Sequence, residues 1–414
     1  MAEERVLGLP AESGRWGLVA VGFLANLCMG AVYAFSVFRT PLEALWGIGA
    51  TASGLPYMVF LGVFGVGMAL AGGIVDRWGP RKVGAFGGAL VGGGWLLAGL
   101  SPNVGILTLL YGVIGGAGVG VLYGCPLAVS TRWFPDRKGL AVGLTVMGFG
   151  LSTLVVAPLM RHLIKTAGVL PTFSILGGAF LVLLVLLALP LRYPPQGWRP
   201  MGWTPPASAG PVRADLDRRA MLRSPQFYVL WVVYAFGCLA GLMAIGITQP
   251  VGEQVAGLSP DLIAGVAMPL FALCNAVGRP LFGSLTDRLT PRGTALLSFA
   301  LIFIAAGAFR VWGEGSGPLF FVSFALLWLN LGAWLAIAPT ATATFFGTTH
   351  YGRNYGLVFT AYGAGAILGM VLSGILRDAT GTYLSVFPPV VALAGAGFLL
   401  ALVGFSPVRR EGRR

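Results

Sequence analysis

The chain has 414 residues, of which 56% are apolar and only 10% charged, with a mean hydropathy of +0.83. Soluble globular domains carry about 25% charged residues, so a soluble enzyme, a nucleic-acid module and a disordered chain are all excluded. The net charge of +13 then points to basic loops on one side of a membrane rather than to a nucleic-acid partner.

A spanning helix needs roughly 20 mainly apolar residues. Twelve such runs follow one another, at about 16–38, 55–75, 83–100, 104–131, 139–164, 168–191, 227–251, 262–285, 293–311, 319–346, 355–376 and 383–405. They are continuous rather than alternating, which argues against a β-barrel. The first run is long enough to span, so no removable signal peptide is expected. Sixty-four glycines without a collagen period suit membrane helices packed at small residues. On the fourth run Gly112, Gly116, Gly120 and Gly124 form one such stripe.

The longest polar interruption, 192–224, is rich in Pro and Arg and separates six spans from six, with a short helix expected around 213–222. The expected fold is therefore an all-α membrane protein with twelve transmembrane helices in two six-helix pseudo-symmetric bundles. Residues 1–191 form the N-terminal bundle, 192–224 a cytoplasmic inter-bundle loop and 225–414 the C-terminal bundle. With the N-terminus inside, 21 of the 27 Lys and Arg fall in inner segments. The outer loops hold five, at Arg39, Arg161, Lys165, Arg310 and Arg377. That asymmetry implies that both termini are cytoplasmic; the expected location is the plasma (inner) membrane.

The halves repeat. Gly72-Gly73-Ile74-Val75-Asp76-Arg77 after the second span returns as Gly283-Ser284-Leu285-Thr286-Asp287-Arg288 after the eighth, at an offset of 211. Pro126, Gly139, Gly143 and Gly150 return as Pro339, Gly352, Gly356 and Gly363, at an offset of 213. Duplicated halves are the architecture of many secondary transporters. Asp76, Arg77, Arg81, Asp287 and Arg288 lie at helix ends near the inner surface. Pairing among themselves, or with the start of a neighbouring helix, would latch that side shut in one state and release it in the other. They are the candidate gate.

The Gly-x-x-x-Asp-Arg-x-Gly-x-Arg-Lys loop resembles the signature of the major facilitator superfamily, and the resemblance extends over essentially the whole chain. Three stretches look like its oxalate–formate antiporter and monocarboxylate transporter branch: residues 30–38 (GAVYAFSVF), 132–141 (RWFPDRKGLA) and 354–363 (NYGLVFTAYG).

Of 27 basic residues only Arg279 lies well inside a span. It stands eight residues before Asp287, about 12 Å from the inner end at 1.5 Å per residue. A charge at that depth is costly and marks a functional site by default. All 14 acidic residues fall in loops or at span ends, so a substrate carboxylate is the natural counter-charge. A guanidinium stays protonated and offers a planar fork that matches it. The resemblance implies the same role, because both related families place an essential Arg in helix 8 in a sequence like Asn275-Ala276-Val277-Gly278-Arg279-Pro280.

Equal depth selects the neighbours. Tyr123 precedes Arg132 by nine residues and Tyr362 follows Arg353 by nine, so each lies about 13 Å from the inner surface. Asn275, Tyr123 and Tyr362, with Tyr33 nearer the outside, are the candidate polar lining; Leu144, Met147 and Phe35 are the candidate apolar wall. Tyr362 stands where oxalate transporters carry a Lys, which favours a monoanion. Asn275 stands where animal monocarboxylate transporters carry an Asp, and Val37 roughly where they carry a Lys. Those two residues are linked to proton handling in that family, so the resemblance leaves the proton's route open.

The four Cys all sit in apolar runs without metal-site spacing, and no nucleophile–base or metal motif is present. No enzyme activity, cofactor or metal is expected. The expected function is alternating-access transport of small monocarboxylates of the lactate or pyruvate type, by a monomer, as proton-coupled symport. Anion exchange of the oxalate–formate type is the alternative.

Overall fold

The computed structural model describes residues 5–204 and 215–406. Among them, ten segments are long and apolar enough to cross a membrane. One of these, Pro260–Trp312, contains two helices, because Thr290 leaves helical geometry (φ 68°, ψ 160°) just before Pro291. Pro80–Ala98 is a further helix, which completes the expected twelve. They are α1 (Ala11–Met29), α2 (Ala50–Trp78), α3 (Pro80–Ala98), α4 (Val104–Trp133), α5 (Lys138–Ala167), α6 (Val169–Ala188) and α7 (Pro225–Gln254). After them come α8 (260–289), α9 (291–312), α10 (Gly317–Phe346), α11 (Tyr351–Thr380) and α12 (Phe387–Gly404).

Shorter elements lie outside this list, among them a 3₁₀ turn at Gly30–Ala34, a helix at Ser36–Trp46 and a second 3₁₀ turn at Tyr383–Val386. A hairpin pairs β1 (Arg5–Val6) with β2 (Leu9–Pro10) through Leu7 and Gly8, both at positive φ. Two-residue strands are too short for an alternating pattern, so the sequence carries no sign of them. In the connecting loop a helix runs over Arg218–Arg223, where the Asp217 side chain accepts the Ala220 N–H at 2.8 Å. The sequence expected this helix to start at 213; residues 213 and 214 lie outside the described residues.

Packing divides the chain into two compact units. The first is Met1–Pro206 with Thr348–Phe359, and the second is Ala207–Gly347 with Thr360–Arg414. Helix α11 contributes to both.

The core of the first unit is aromatic. Phe38 stacks on Phe173 at 4.1 Å, while Trp95 and Phe35 each approach Tyr111 at 5.0 Å. Hydrocarbon gives helices no hydrophobic reason to associate, so close contact at small residues must hold them. The glycine stripe on α4 does this against α2. A Cβ on Gly116 would lie 2.7 Å from the Phe60 carbonyl oxygen, and one on Gly120 would lie 2.8 Å from the Met68 nitrogen. Helix α3 comes as close to α6, where a Cβ on Gly92 would lie 2.2 Å from Leu181 Cα.

In the second unit the tightest approach lies beside Arg279. A Cβ on Gly278 would meet the Leu329 carbonyl oxygen at 2.2 Å, and one on Gly332 would meet the Asn275 carbonyl oxygen at 2.0 Å. Helices α8 and α10 therefore touch backbone to backbone at this turn. Their outer parts are joined by the rings of Phe271, Phe320 and Phe324, 4.6 to 6.1 Å apart. A buried hydrogen bond, Ser298 Oγ to Asn330 Oδ1 at 2.7 Å, ties α9 to α10.

Candidate substrate site and gate

Arg279 is 1% exposed. Its Nη2 donates to Asn275 Oδ1 at 3.2 Å, one helical turn earlier. Asn275 is itself held, because its Nδ2 donates to the Trp328 carbonyl at 3.1 Å. Trp328 Nε1 in turn donates to Thr248 Oγ1 at 3.2 Å. The chain of bonds runs from α8 through α10 to α7 and fixes both the rotamer of Asn275 and the side of Arg279 that it occupies. Pro280 follows directly and has no N–H, so the Ala276 carbonyl loses its usual helical donor. Cys238 of α7 lies within electrostatic reach of the guanidinium, with the Tyr234 hydroxyl next to its thiol. Tyr234 and Cys238 escaped the sequence reading. Their spacing of four residues, one helical face, was the available sign.

The structure brings Arg279 and Asn275 together as expected. Tyr362 is 7% exposed and belongs to the same unit, on α11. Two residues before it, Thr360 Oγ1 accepts from Trp231 Nε1 at 2.9 Å. Tyr123, Tyr33 and Leu144 belong to the first unit. Tyr123 is buried among Phe64, Phe149 and Phe359, with ring centroids 5.4 to 5.6 Å away. Tyr33 meets the same Phe149 edge-on at 5.0 Å. Leu144 is half-buried on α5. Phe35, expected in the wall, packs instead into the aromatic core of its unit.

At one end of the first unit the Asp76 carboxylate receives two backbone donors from the start of α11. The Gly352 N–H reaches Oδ1 at 3.2 Å and the Arg353 N–H reaches Oδ2 at 3.1 Å. Free N–H groups and the positive end of the helix dipole make this a natural seat for a carboxylate. Of the partners expected for Asp76, the helix start is the one observed. Arg77 and Arg81 are exposed, as are Asp287 and Arg288 in the second unit.

Arg132 completes the arrangement. It lies 3.7 Å from Asp76, and its Nη2 donates to the Thr348 and Thr349 carbonyls at 2.7 and 3.0 Å. Its guanidinium also lies over the Tyr193 ring at 3.7 Å. Burial pushes the Tyr193 phenol up, against the opposing pull of Arg132, so it stays a neutral hydroxyl. The approach to α11 is thus gripped through its carbonyls by a cation and through its N–H groups by an anion.

The residues after Arg132 have partners too. Trp133 Nε1 donates to the Arg192 carbonyl at 2.7 Å. Phe134 packs edge-on against Trp16 at 4.7 Å. Asp136 accepts a two-pronged bond from Arg15, at 2.7 and 3.0 Å. Arg132 and Asp136 were visible as parts of a motif, but the Thr348 and Thr349 carbonyls that the first binds and the Arg15 that the second binds lie over a hundred positions away in the chain.

Comparisons with known proteins agree with this helical membrane fold. The Major Facilitator Superfamily model matches residues 19–309 and 257–414. The chain belongs to the major facilitator superfamily, whose members are membrane transporters and not enzymes. It is 28% identical over 403 residues to an oxalate:formate antiporter of Oxalobacter formigenes, covering 96% of this chain and 94% of that one. It is 27% identical over 405 residues to monocarboxylate transporter 13 of Bos taurus, covering 95% and 90%. Among solved structures, the superfamily transporter FucP matches with a TM-score of 0.69 at 15% identity, over 94% of this chain and 99% of that one. The proton:xylose symporter XylE matches at 0.69 and 16%, over 94% and 95%. At such identities the two structures speak for the fold alone.

Proposed function

We propose that this transporter moves small monocarboxylates, of the lactate or pyruvate type, by alternating access, as a proton-coupled symporter. The observation that carries the reading is Arg279, a permanent cation enclosed in the second unit and oriented by Asn275. A guanidinium so held presents fixed donors to a carboxylate, and a planar fork suits that group better than an ammonium does. Tyr362, at the position where a second cation would suit a dianion, favours a single negative charge. Asn275, Tyr362, Tyr123, Tyr33 and Leu144 are proposed as further substrate-binding residues. Asp76, Arg77, Arg81, Asp287 and Arg288 are proposed as the gate, with Arg132 added to them. The repeat halves are 1–191 and 225–414, joined by 192–224. The protein is proposed to work as a monomer in the plasma membrane; the distribution of Lys and Arg supports a cytoplasmic placement of both termini.

Arg279 cannot release a proton at ordinary pH, so a coupled proton travels elsewhere, on the substrate or on an acid at a span end. Exchange is the second reading, and the 28% identity to an oxalate:formate antiporter over nearly the whole chain favours it. Purified protein in liposomes separates the two. Labelled lactate, pyruvate, formate and oxalate are offered with and without an inward proton gradient, and again to vesicles preloaded with unlabelled anion. Symport accelerates with the gradient. Uptake that ignores pH and needs internal anion means exchange, and no uptake of any of these anions overturns the proposal.

A further inference from the structure

The outer wall of the second unit holds a groove of about 470 Å³ between α9 and α12, within the ~300–1,000 Å³ range of ligand pockets. Its sides are Phe303, Gly307, Val311, Val391 and Gly395, and Arg310 stands at one end. The groove exists because two glycines leave it open. A Cβ on Gly307 would come no nearer than 3.9 Å to Val391 Cγ2, and one on Gly395 no nearer than 3.9 Å to Phe303 Cε2. Two residues further along α12 the helices touch, where a Cβ on Gly397 would lie 2.4 Å from the Phe299 ring. The groove therefore begins at that contact and runs toward Arg310.

Its surroundings are apolar and exposed. Ile304 is 60% exposed, Val311 64% and Trp312 69%. Both helices are long and apolar enough to cross a membrane, so this face borders hydrocarbon, and Trp312 beside Arg310 marks the level of the headgroups. Among the described residues Arg310 makes no ion pair. A cation at the interfacial end of an apolar slot matches a molecule with a hydrocarbon chain and an anionic head.

We propose that this groove binds one acyl chain of an anionic glycerophospholipid, with the phosphate on Arg310. The site is separate from the carboxylate site and does not depend on it. A lipid there fills the gap between α9 and α12 and braces the second unit, beside the contact of Phe309 with Phe387 at 4.9 Å.

Photolabelling tests this on the full-length protein in detergent. The probes are phosphatidylglycerol and phosphatidylcholine carrying a diazirine near the end of one acyl chain, and labelled peptides are mapped by mass spectrometry. Phosphatidylglycerol should label 303–311 and 388–396 above all other segments. It should exceed phosphatidylcholine there by about fivefold, the preference expected of one Arg facing an anionic lipid. Gly395→Leu, which fills the slot, should abolish that labelling. Arg310→Gln, which leaves the helix packing alone, should reduce phosphatidylglycerol to the level of phosphatidylcholine, so the proposal stays testable if Gly395→Leu fails to fold. Labelling spread over all exposed helices, equal labelling by the two lipids in the native protein, or occupation of the groove by a second copy of the chain each overturns it.

Discussion

Gly79 and Thr290 hold the same place in the two repeats and share one backbone conformation, φ 80° and ψ 161° at the first, φ 68° and ψ 160° at the second. Each is followed by the proline that starts the next helix. This region is open to glycine and costs other residues about 1–3 kcal/mol. The first repeat meets the requirement with glycine and the second does not. Thr290→Gly should therefore raise stability by about 1–2 kcal/mol, and Gly79→Ala should lower it by a similar amount. Thermal unfolding in detergent reads both. A less stable Thr290→Gly would show that the threonine's contacts outweigh its backbone strain.

Arg279→Lys should lose most transport while the protein still folds, because an ammonium keeps the charge but not the two-pronged geometry. Arg279→Gln should lose it entirely. Asn275→Ala removes the group that orients the guanidinium and should weaken substrate binding by about tenfold, the loss of ~1.4 kcal/mol. Liposome uptake with purified variants measures all three. Near-normal uptake by Arg279→Gln would remove the carboxylate anchor from the proposal.

Asp76 seats the start of α11, so Asp76→Ala leaves two helix N–H groups without their acceptor and Arg132 without its nearest anion. Loss of a helix cap costs about 0.5–2 kcal/mol, and a drop in unfolding temperature should follow. If this seat is a gate, the same variant should change the rate of transport more than the affinity for substrate. Full kinetics on reconstituted protein distinguish the two, and an effect on stability alone would make Asp76 a structural cap and nothing more.

The Arg15–Asp136 pair is largely buried, with side chains 7% and 14% exposed. Breaking a buried pair by removing one partner costs about 3–5 kcal/mol; Glu12 Oε2, 2.9 Å from Arg15, stays to compensate the cation, so Asp136→Ala should destabilise the first unit by less than that range. Arg15→Lys should not restore the two-pronged bond. Removing both partners should cost less than the two single losses added together. A double-mutant cycle by thermal unfolding checks this, and simple additivity would deny the coupling.

Tyr362→Lys should shift selectivity. Two cations in one site suit a dianion, so oxalate should compete better against lactate, by tenfold or more, about 1.4 kcal/mol. An unchanged ratio in folded protein would take Tyr362 out of the site.

Much of the fold was legible because its signal is local. A run of apolar residues says where a helix lies without reference to its partners, and Arg279 stood out because a charge in such a run is rare. Asn275 was legible for a related reason, one turn away on the same face. What stayed hidden was pairing. Nothing in Arg132 says that it grips the carbonyls of Thr348 and Thr349, or in Arg15 that it needs Asp136, because those contacts close loops of more than a hundred residues. Phe35 was misplaced for the same reason: depth along a helix is countable, but the direction its side chain faces depends on which helix packs beside it.

The glycines of α3 bear on how the protein is made. Six glycines, with Arg81 and Lys82 in its first turn, leave this helix outside the set apolar enough to cross a membrane by composition. Its hold comes from contact, with α4 at Gly87 and with α6 at Gly92. Both partners leave the ribosome after it. The order of synthesis thus runs against the order of stabilisation: α3 reaches the translocon before the helices that keep it in place, and its seating is complete only when α6 arrives. A nascent chain halted before α6 would leave a ridge of bare backbone facing lipid, and that is the stage at which membrane quality control has most to recognise.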